Sequence, residues 1–209
     1  MIGHLARTTF RRGPSRATGR VAILLADLGG GGAERIALNL AQGMVEKGNE
    51  VDLVVINPVG PLVSKVPAGV RLVSLDTGQA SRSLFALIRY LRRERPGLLI
   101  SHLHAVNMLA VVARSLAAPS VRLAITIHNN LRLDMASERH YLRSVFPLLM
   151  RMTYPSADAI IAVSNGVAAS ISAAGIRSDH LKTVYNPVVS ERLFDLANEP
   201  LDHPWFAEG

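Results

Sequence analysis

Residues 21–56 read VAILLADLGGGGAERIALNLAQGMVEKGNEVDLVVI and decide the fold of this chain. The apolar run at 21–26 predicts a buried strand, and four glycines, Gly29 to Gly32, lead directly into helix-period sequence and a second apolar run at 51–56. A glycine turn that opens a helix exposes backbone N–H groups at the positive end of the helix dipole. The stretch therefore predicts a strand–loop–helix–strand unit whose loop suits a phosphate or a ligand that approaches bare backbone. A simple tight turn is the alternative, although four consecutive glycines exceed what a turn needs.

The glycine loop does not fit the common nucleotide fingerprints. A dinucleotide loop needs a small residue at its sixth position, which is Glu34 when counted from Gly29 and Arg35 when counted from Gly30. The second predicted strand ends at Ile56-Asn57, without the acid that holds a ribose. The Gly-Lys-Ser/Thr phosphate loop is absent as well. We therefore predict no cofactor, and an oxidoreductase with an atypical dinucleotide loop is the least favoured function.

The composition describes one substantial domain. The chain has 209 residues, 49% of them hydrophobic, which is enough for a sizeable core. It has no cysteine, so disulfides and thiolate metal sites are excluded. No apolar run reaches the roughly 18 residues of a membrane span, so we expect a soluble or peripheral protein.

Charge is concentrated at the amino terminus. The net charge is +7, and residues 1–20 hold five arginines and no acid, which leaves +2 for the remainder. We predict a flexible basic tail at 1–20, a folded domain at 21–188 and a linker at 189–209. The tail could contact nucleic acid or anionic lipid, but a solvated arm is the commoner outcome, and nucleic acid is not predicted as a partner.

Strand and helix patterns alternate along the folded part, which predicts an α/β fold with a Rossmann-like, doubly wound parallel sheet. The strand-like runs lie at 21–26, 51–56, 70–75, 98–101, 121–127, 159–163 and 181–185, and the helix-period segments lie at 33–47, 83–95, 106–117, 138–154 and 166–174.

Polar residues follow the predicted strands where each strand ends. In open parallel sheets ligands bind beyond the carboxyl ends of the strands, so these residues are candidates for one site. Imidazoles and amides both donate and accept hydrogen bonds, which suits a polyhydroxylated ligand better than hydrolysis by two carboxylates. The candidates are His102, His104, Asn107, His128, Asn129, Asn130, Ser164, Asn165, Asn186 and Pro187.

Several of these residues have a structural alternative. Ser164 and Asn165 could only cap the helix that follows, and His102 is expected to be a packed or exposed turn residue. His102, His104 and His128 could suggest a metal site, but they lack an acidic fourth ligand, so we predict no metal. His128 is the strongest candidate, because two amides follow it directly, although it could instead be satisfied within its loop.

The segment 82–95 combines an apolar stripe with basic residues. The stripe consists of Leu84, Leu87, Ile88 and Leu91. A basic amphipathic helix can lie on an anionic membrane surface, whereas a core-packed helix with a solvated basic face is the favoured interpretation.

Five motifs together identify a resemblance to family 4 glycosyltransferases, which have the GT-B fold. They are the glycine-loop unit, RRERPGLLISHLHAVNMLA (92–110), AITIHNN (124–130), ADAIIAVSNGVAASI (157–171) and LKTVYNPV (181–188), in the family's order and spacing. The resemblance implies the amino-terminal half of a GT-B fold, which binds a sugar or glycolipid acceptor. The complete enzyme would transfer a sugar from a nucleotide-sugar donor with retention.

The resemblance also implies roles for individual residues. Gly30, Gly31 and Gly32 correspond to the loop beside the donor diphosphate and the acceptor, and His128 corresponds to a histidine near the acceptor and the transferred sugar. The remaining correspondences are acceptor contacts at His104, Asn107 and Asn129 and an interdomain segment at Asn186 and Pro187. We expect a cytoplasmic location, with peripheral contact on the inner face of the membrane as the alternative.

The chain departs from the family where the donor domain should begin. It ends at DHPWFAEG, and the Glu-x7-Glu spacing of Glu191 and Glu199 lies ahead of that point, so we interpret it as coincidence. We expect this chain alone to be inactive, with nucleotide-sugar binding only when a donor domain is present. A non-catalytic carbohydrate- or lipid-carrier-binding module is the alternative.

Overall fold

The computed structural model describes residues 18–75, 80–131, 140–176, 178–188, 194–195 and 197–199. The described residues form seven strands: β1 Thr18–Leu25, β2 Val51–Val55, β3 Val70–Ser74, β4 Pro96–His102, β5 Arg122–Ile127, β6 Ala159–Ala162 and β7 Leu181–Thr183. They also form five α-helices: α1 Gly32–Glu46, α2 Ala80–Glu94, α3 His104–Ala117, α4 His140–Thr153 and α5 Asn165–Ala173. The predicted tail up to residue 17, and most of the predicted linker at 189–209, lie outside the described residues.

All seven strands belong to one parallel sheet with the order β3-β2-β1-β4-β5-β6-β7. This confirms the predicted α/β fold. The direction of winding reverses between β1 and β4, because the chain goes from β1 outward to β3 and then returns to β4. In such sheets the crevice at the reversal point, beyond the carboxyl ends of the strands, is where ligands bind. The glycine loop follows β1 and therefore lies at this crevice.

The sheet is covered on both faces, which explains the continuous apolar strands. All five residues of β2 are buried, although Asp52 is polar. On one face α1 packs Ala37 and Ala41 against β1 and β2. On the other face α2 and α3 form a second cluster through residues such as Leu87 and Val111.

Helix α2 contacts the core with its apolar stripe. Leu87 and Leu91 are fully buried, and Leu84 and Ile88 pack against the same cluster at partial burial. The stripe is therefore core-packed, as favoured from the sequence. No helix within the described part of the chain is long and apolar enough to cross a bilayer.

Asp52 is the centre of a polar network on β1, β2, β3 and α2. Its carboxylate accepts hydrogen bonds from the Arg71 guanidinium at 2.8 and 2.6 Å and from the Tyr90 hydroxyl at 2.6 Å. Arg20 falls within the predicted tail, but in the structure it lies in β1 and forms ion pairs with Glu50 and Glu94. Burial first, and then the bond to Asp52, raises the pKa of Tyr90 well above its ordinary value. The network joins three strands to α2.

We expect Asp52→Asn to lower the free energy of unfolding by about 2–4 kcal/mol, because it removes the charge that Arg71 and Tyr90 contact in a buried setting. The matched control is Glu50→Gln, which removes an ion pair to Arg20 at a side chain that is 72% exposed. That change is expected to cost under about 1 kcal/mol. Urea denaturation of both variants measures the difference, and equal costs would contradict the importance assigned to Asp52.

Candidate functional site

The glycine loop is held in a defined conformation by its own residues. The Asp27 carboxylate accepts a hydrogen bond from the Gly29 N–H at 2.9 Å. Gly30 has a φ of 98°, a conformation that favours glycine. Gly31 is the N-cap of α1 and provides no capping side chain, and the Glu34 carboxylate lies close to Gly31 in the first turn. The loop therefore presents the amino-terminal backbone of α1 at the crevice.

A second loop, which was not predicted as part of the site, supports the glycine loop. The Leu28 N–H donates to the Val59 carbonyl at 3.0 Å, and the Leu62 N–H donates to the Leu28 carbonyl at 3.2 Å. Gly60 has a φ of 119°, and a Cβ added there would overlap the Leu28 carbonyl. A glycine at position 60 is therefore required both by its dihedral angle and by the close approach of the glycine loop. The sequence signal was Gly60 between Pro58 and Pro61.

The residue that follows β4 at the crevice has a strained backbone conformation. Leu103 has φ 71° and ψ 150°, a region that non-glycine residues rarely occupy. Such a conformation costs about 1–3 kcal/mol and persists only where its surroundings enforce it. It separates His102, which is buried, from His104, which begins α3 and lies with its Nδ1 3.2 Å from the Tyr154 hydroxyl. The strain therefore lies at the residue between two candidate histidines.

The histidine that ends β4, His102, and the histidine that follows β5, His128, form a contact pair. His102 Nδ1 lies 2.8 Å from His128 Nε2, and their rings stack with centroids 5.1 Å apart at 29°. Burial first, and then the neighbouring His128, lowers the pKa of His102 to about 3. Burial first, and then His104, lowers the pKa of His128. Both imidazoles are therefore neutral at neutral pH, and the strongest candidate from sequence contacts a buried partner.

The hydrogen-bond network assigns the protons of this pair. His102 Nε2 is buried and has no hydrogen-bond partner among the described residues. A buried N–H without an acceptor is rarer in proteins than an unfilled acceptor, so we assign the proton of His102 to Nδ1, which then donates to His128 Nε2. The proton of neutral His128 is then on its Nδ1. His128 thus has an N–H donor on the ring nitrogen that does not contact His102.

Asn107 lies beneath the site. It is fully buried; its Oδ1 accepts from the Ser101 hydroxyl at 2.7 Å, and its Nδ2 donates to the Thr126 carbonyl at 3.0 Å. These bonds join α3 to β4 and β5. The role of Asn107 as an acceptor contact stays a prediction, and in the structure its amide is buried and bonded to Ser101 and Thr126.

The other candidates lie around the same edge. Asn129 is exposed directly after His128. Ser164 is the N-cap of α5, and its hydroxyl accepts from the Val167 N–H at 3.2 Å, which fits the capping interpretation. The Pro187 carbonyl accepts a hydrogen bond from the Asn39 side-chain amide on α1 at 3.2 Å. The predicted interdomain segment therefore contacts the helix that follows the glycine loop.

Among the described residues, the three histidines do not join other side chains in a metal site. Within the described ranges, no group of three His, Cys, Asp or Glu side chains could hold a metal ion. His102 directs one ring nitrogen to His128 and buries the other. The pair is suited to hydrogen bonding and orientation.

We expect stability to fall as the pH drops below about 6.5. The pKa values of His102 and His128 are lowered in the folded state, so the unfolded chain binds protons that the folded chain does not. This contribution to the free energy of unfolding is fully present above the pKa of a histidine in the unfolded chain. It is lost as the pH falls toward the pKa of that histidine in the folded chain, by up to about 1.4 kcal/mol per pH unit for each histidine. Urea denaturation between pH 7.5 and 5.5 measures this slope. His102→Gln should flatten it and His180→Gln, at an exposed histidine, should not; an unchanged slope in His102→Gln would contradict the assignment.

The sequence matches the family model for Glycosyltransferase Family 4 over residues 30–192. The chain belongs to this family. The match begins in the glycine loop and extends beyond Asn186 and Pro187, so it covers every candidate on the crevice. No curated protein sequence matches the chain significantly.

Solved glycosyltransferases share its fold. The lipopolysaccharide outer core galactosyltransferase WaaB matches with a TM-score of 0.61 and 18% identity, covering 81% of this chain and 46% of that one. HepE of Anabaena, solved in complex with UDP-glucose, matches with a TM-score of 0.63 and 17% identity, covering 86% and 50%. Sucrose-phosphate synthase from Thermosynechococcus elongatus matches with a TM-score of 0.64 and 13% identity, covering 79% and 47%. The chain thus has the fold of one half of a GT-B glycosyltransferase and spans about half the length of these proteins.

Proposed function

We propose that this chain is the acceptor-binding half of a family 4 glycosyltransferase, with its site at the crevice between β1 and β4. One observation carries the proposal: the glycine loop, the strained turn at Leu103 and the His102–His128 pair follow β1, β4 and β5, which are neighbours in the sheet. The carboxyl edge of an open parallel sheet, at its reversal point, is where such folds bind ligands.

In this proposal the residues of the crevice have two roles, acceptor binding and stabilisation of the departing diphosphate. His128, as an N–H donor with Asn129 beside it, would orient hydroxyl groups of a sugar or glycolipid acceptor. The N–H groups at the start of α1, where Gly32 leaves open space, would stabilise the negative charge that develops on the departing diphosphate. His104 would contact the acceptor from the start of α3.

The donor would bind on a second domain. HepE, solved with UDP-glucose, is about twice as long as the matched region, and uridine diphosphate sugars are therefore the donors to test first. Transfer needs donor and acceptor held together, so we propose that this chain alone is inactive. In the complete enzyme the sugar would be transferred with retention. The location that we propose remains the cytoplasm, with peripheral membrane contact as a further prediction.

Release of UDP tests this proposal. The chain alone, incubated with UDP-hexoses and a panel of glycosides, should release no more UDP than buffer. Fused through residues 189–209 to the donor-binding half of a solved GT-B relative, it should release UDP in an acceptor-dependent manner. Turnover by the chain alone would contradict its assignment as one half of the site. Acceptor binding without transfer in a fusion that binds UDP would favour the non-catalytic module.

A further inference from the structure

A large apolar cavity opens beside the crevice. Its volume is about 610 Å³, within the range of roughly 300–1,000 Å³ that is usual for small-molecule sites. Residues after β1 and β2 contribute to one side, and α2, α3 and α4 form the rest. The apolar side chains that define the wall are Leu84, Val106, Leu109, Val112 and Leu149.

The wall contains four polar residues, Asp27, Asn57, Ser83 and Thr153, and at least two of them form hydrogen bonds within the protein. The Thr153 hydroxyl donates to the Leu149 carbonyl at 2.7 Å, one turn earlier on α4. The Asp27 carboxylate accepts from Gly29 in the glycine loop. The wall therefore offers mainly carbon surface, which favours a hydrocarbon occupant over a second sugar.

Two segments of the cavity wall adjoin the proposed acceptor site along the chain. Ala26 and Asp27 line it and lead directly into the glycine loop, and Ala105 lines it one residue after His104. The cavity is therefore the neighbouring apolar space toward which a molecule bound at the glycine loop and the histidines would extend.

The apolar surface continues outward from the cavity along two helices. Val112 and Leu149 line the cavity and are 38% and 40% exposed. Leu116 lies four residues after Val112 on α3 and is 60% exposed, and Met152 lies three residues after Leu149 on α4 and is 71% exposed. Residues three or four apart share one face of a helix. A hydrocarbon chain longer than the cavity would thus continue over apolar side chains.

We infer that the acceptor is an amphiphile, a sugar joined to an aliphatic hydrocarbon chain, and that the cavity between α2, α3 and α4 binds this chain. The inference rests on the proposed function, because the sugar end is placed at His104, His128 and the glycine loop. It adds the class of acceptor: a glycolipid-like molecule, in which the aliphatic part supplies most of the binding.

Calorimetry with methyl, hexyl and octyl glycosides, each below its critical micelle concentration, tests the inference. Glucosides, galactosides and mannosides serve as head groups. Each methylene that enters the cavity should tighten binding roughly fourfold, so the octyl compound should bind the chain more than about a hundredfold tighter than the methyl compound. Equal affinities for the methyl and octyl compounds would overturn the inference.

Two variants place a charge in the cavity wall from different helices. Val112→Asp and Leu149→Asp are at partly exposed positions, and each should reduce the octyl-to-methyl ratio to below about tenfold. The matched control is Val184→Asp, at a valine that is 53% exposed and outside the cavity, and it should keep the ratio of the unchanged chain. The same ratio in all three variants would show adsorption at general apolar surface and would overturn the inference.

A further arm separates this inference from the proposed function. His128→Asn should weaken the preference among head groups and leave the dependence on chain length. If affinity did not depend on chain length but the preference among head groups still depended on His128, the cavity assignment would be overturned and the proposed function would stay intact. If plain octanol bound as tightly as octyl glycosides, and if His128→Asn changed the affinity of neither, both the inference and the proposed function would be contradicted.

Discussion

Gly60→Ala is expected to lower the free energy of unfolding by about 3 kcal/mol or more. The added Cβ meets the Leu28 carbonyl, and alanine is also strained at a φ of 119°. Neither problem can be relieved locally, because Leu28 exchanges hydrogen bonds with Val59 and Leu62 on the same loop. The displaced atoms belong to the residue before Gly29, so acceptor binding should weaken as well.

Gly48→Ala is the matched control for this prediction. Gly48 also has a positive φ, 80°, but a Cβ there would have no neighbour within 4 Å. Its replacement should cost only about 1 kcal/mol and leave binding unchanged. Urea denaturation of the two variants, with glycoside binding as the second measurement, separates the cost of strain from that of overlap. Equal destabilisation would show that the approach of the two loops is unimportant.

Gly32→Asp is expected to lower the rate of transfer about a hundred- to a thousandfold in a fusion that carries a donor-binding domain. The new carboxylate would stand at the start of α1, where the proposed site stabilises the diphosphate. Nothing lies within 4 Å of a Cβ at Gly32, so the fold has room for it. A negative charge in the first turn of a helix is favourable, and stability should therefore be unchanged or slightly higher.

The control is Gly32→Ala, which adds the same Cβ without a charge. It should keep transfer within a few-fold of the unchanged fusion. Steady-state kinetics of both variants, alongside thermal unfolding, distinguish an electrostatic effect from a steric one. Equal loss in the alanine and aspartate variants, or no loss in either, would remove the diphosphate role from the loop.

The sheet could be predicted from sequence because its central strands are short apolar runs buried on both faces, and the more exposed edge strands β3 and β7 still contain apolar residues. All seven predicted strands and all five predicted helices are present, with ends shifted by a few residues. The largest shift of a strand start is at β1, which begins at Thr18 rather than residue 21: Thr18 pairs with Pro96 of β4, and Arg20 forms ion pairs with Glu50 and Glu94 far along the chain. A local charge count assigns such a residue to a tail, since its partners are distant in sequence.

The site could be predicted only at the level of strand ends. His102 was expected to be a packed or exposed turn residue, yet it stacks on His128 because β4 and β5 pair in a register that aligns His102 with Thr126. The buried position of Asn107 and the support from Gly60 also depend on contacts between separate segments. No pattern of neighbouring residues reports such contacts.

Binding of the labelled chain to an array of glycosides and lipid-linked glycosides tests the central claim most directly, with His128→Asn and His180→Asn measured in parallel. His180 is an exposed histidine just before β7, at the amino-terminal end of the parallel strands, whereas His128 follows the carboxyl end of β5. The account predicts selective binding to a subset of the array that His128→Asn reduces at least tenfold and His180→Asn leaves unchanged. Binding that survives in His128→Asn, or is lost equally in both variants, would contradict an acceptor site at this crevice.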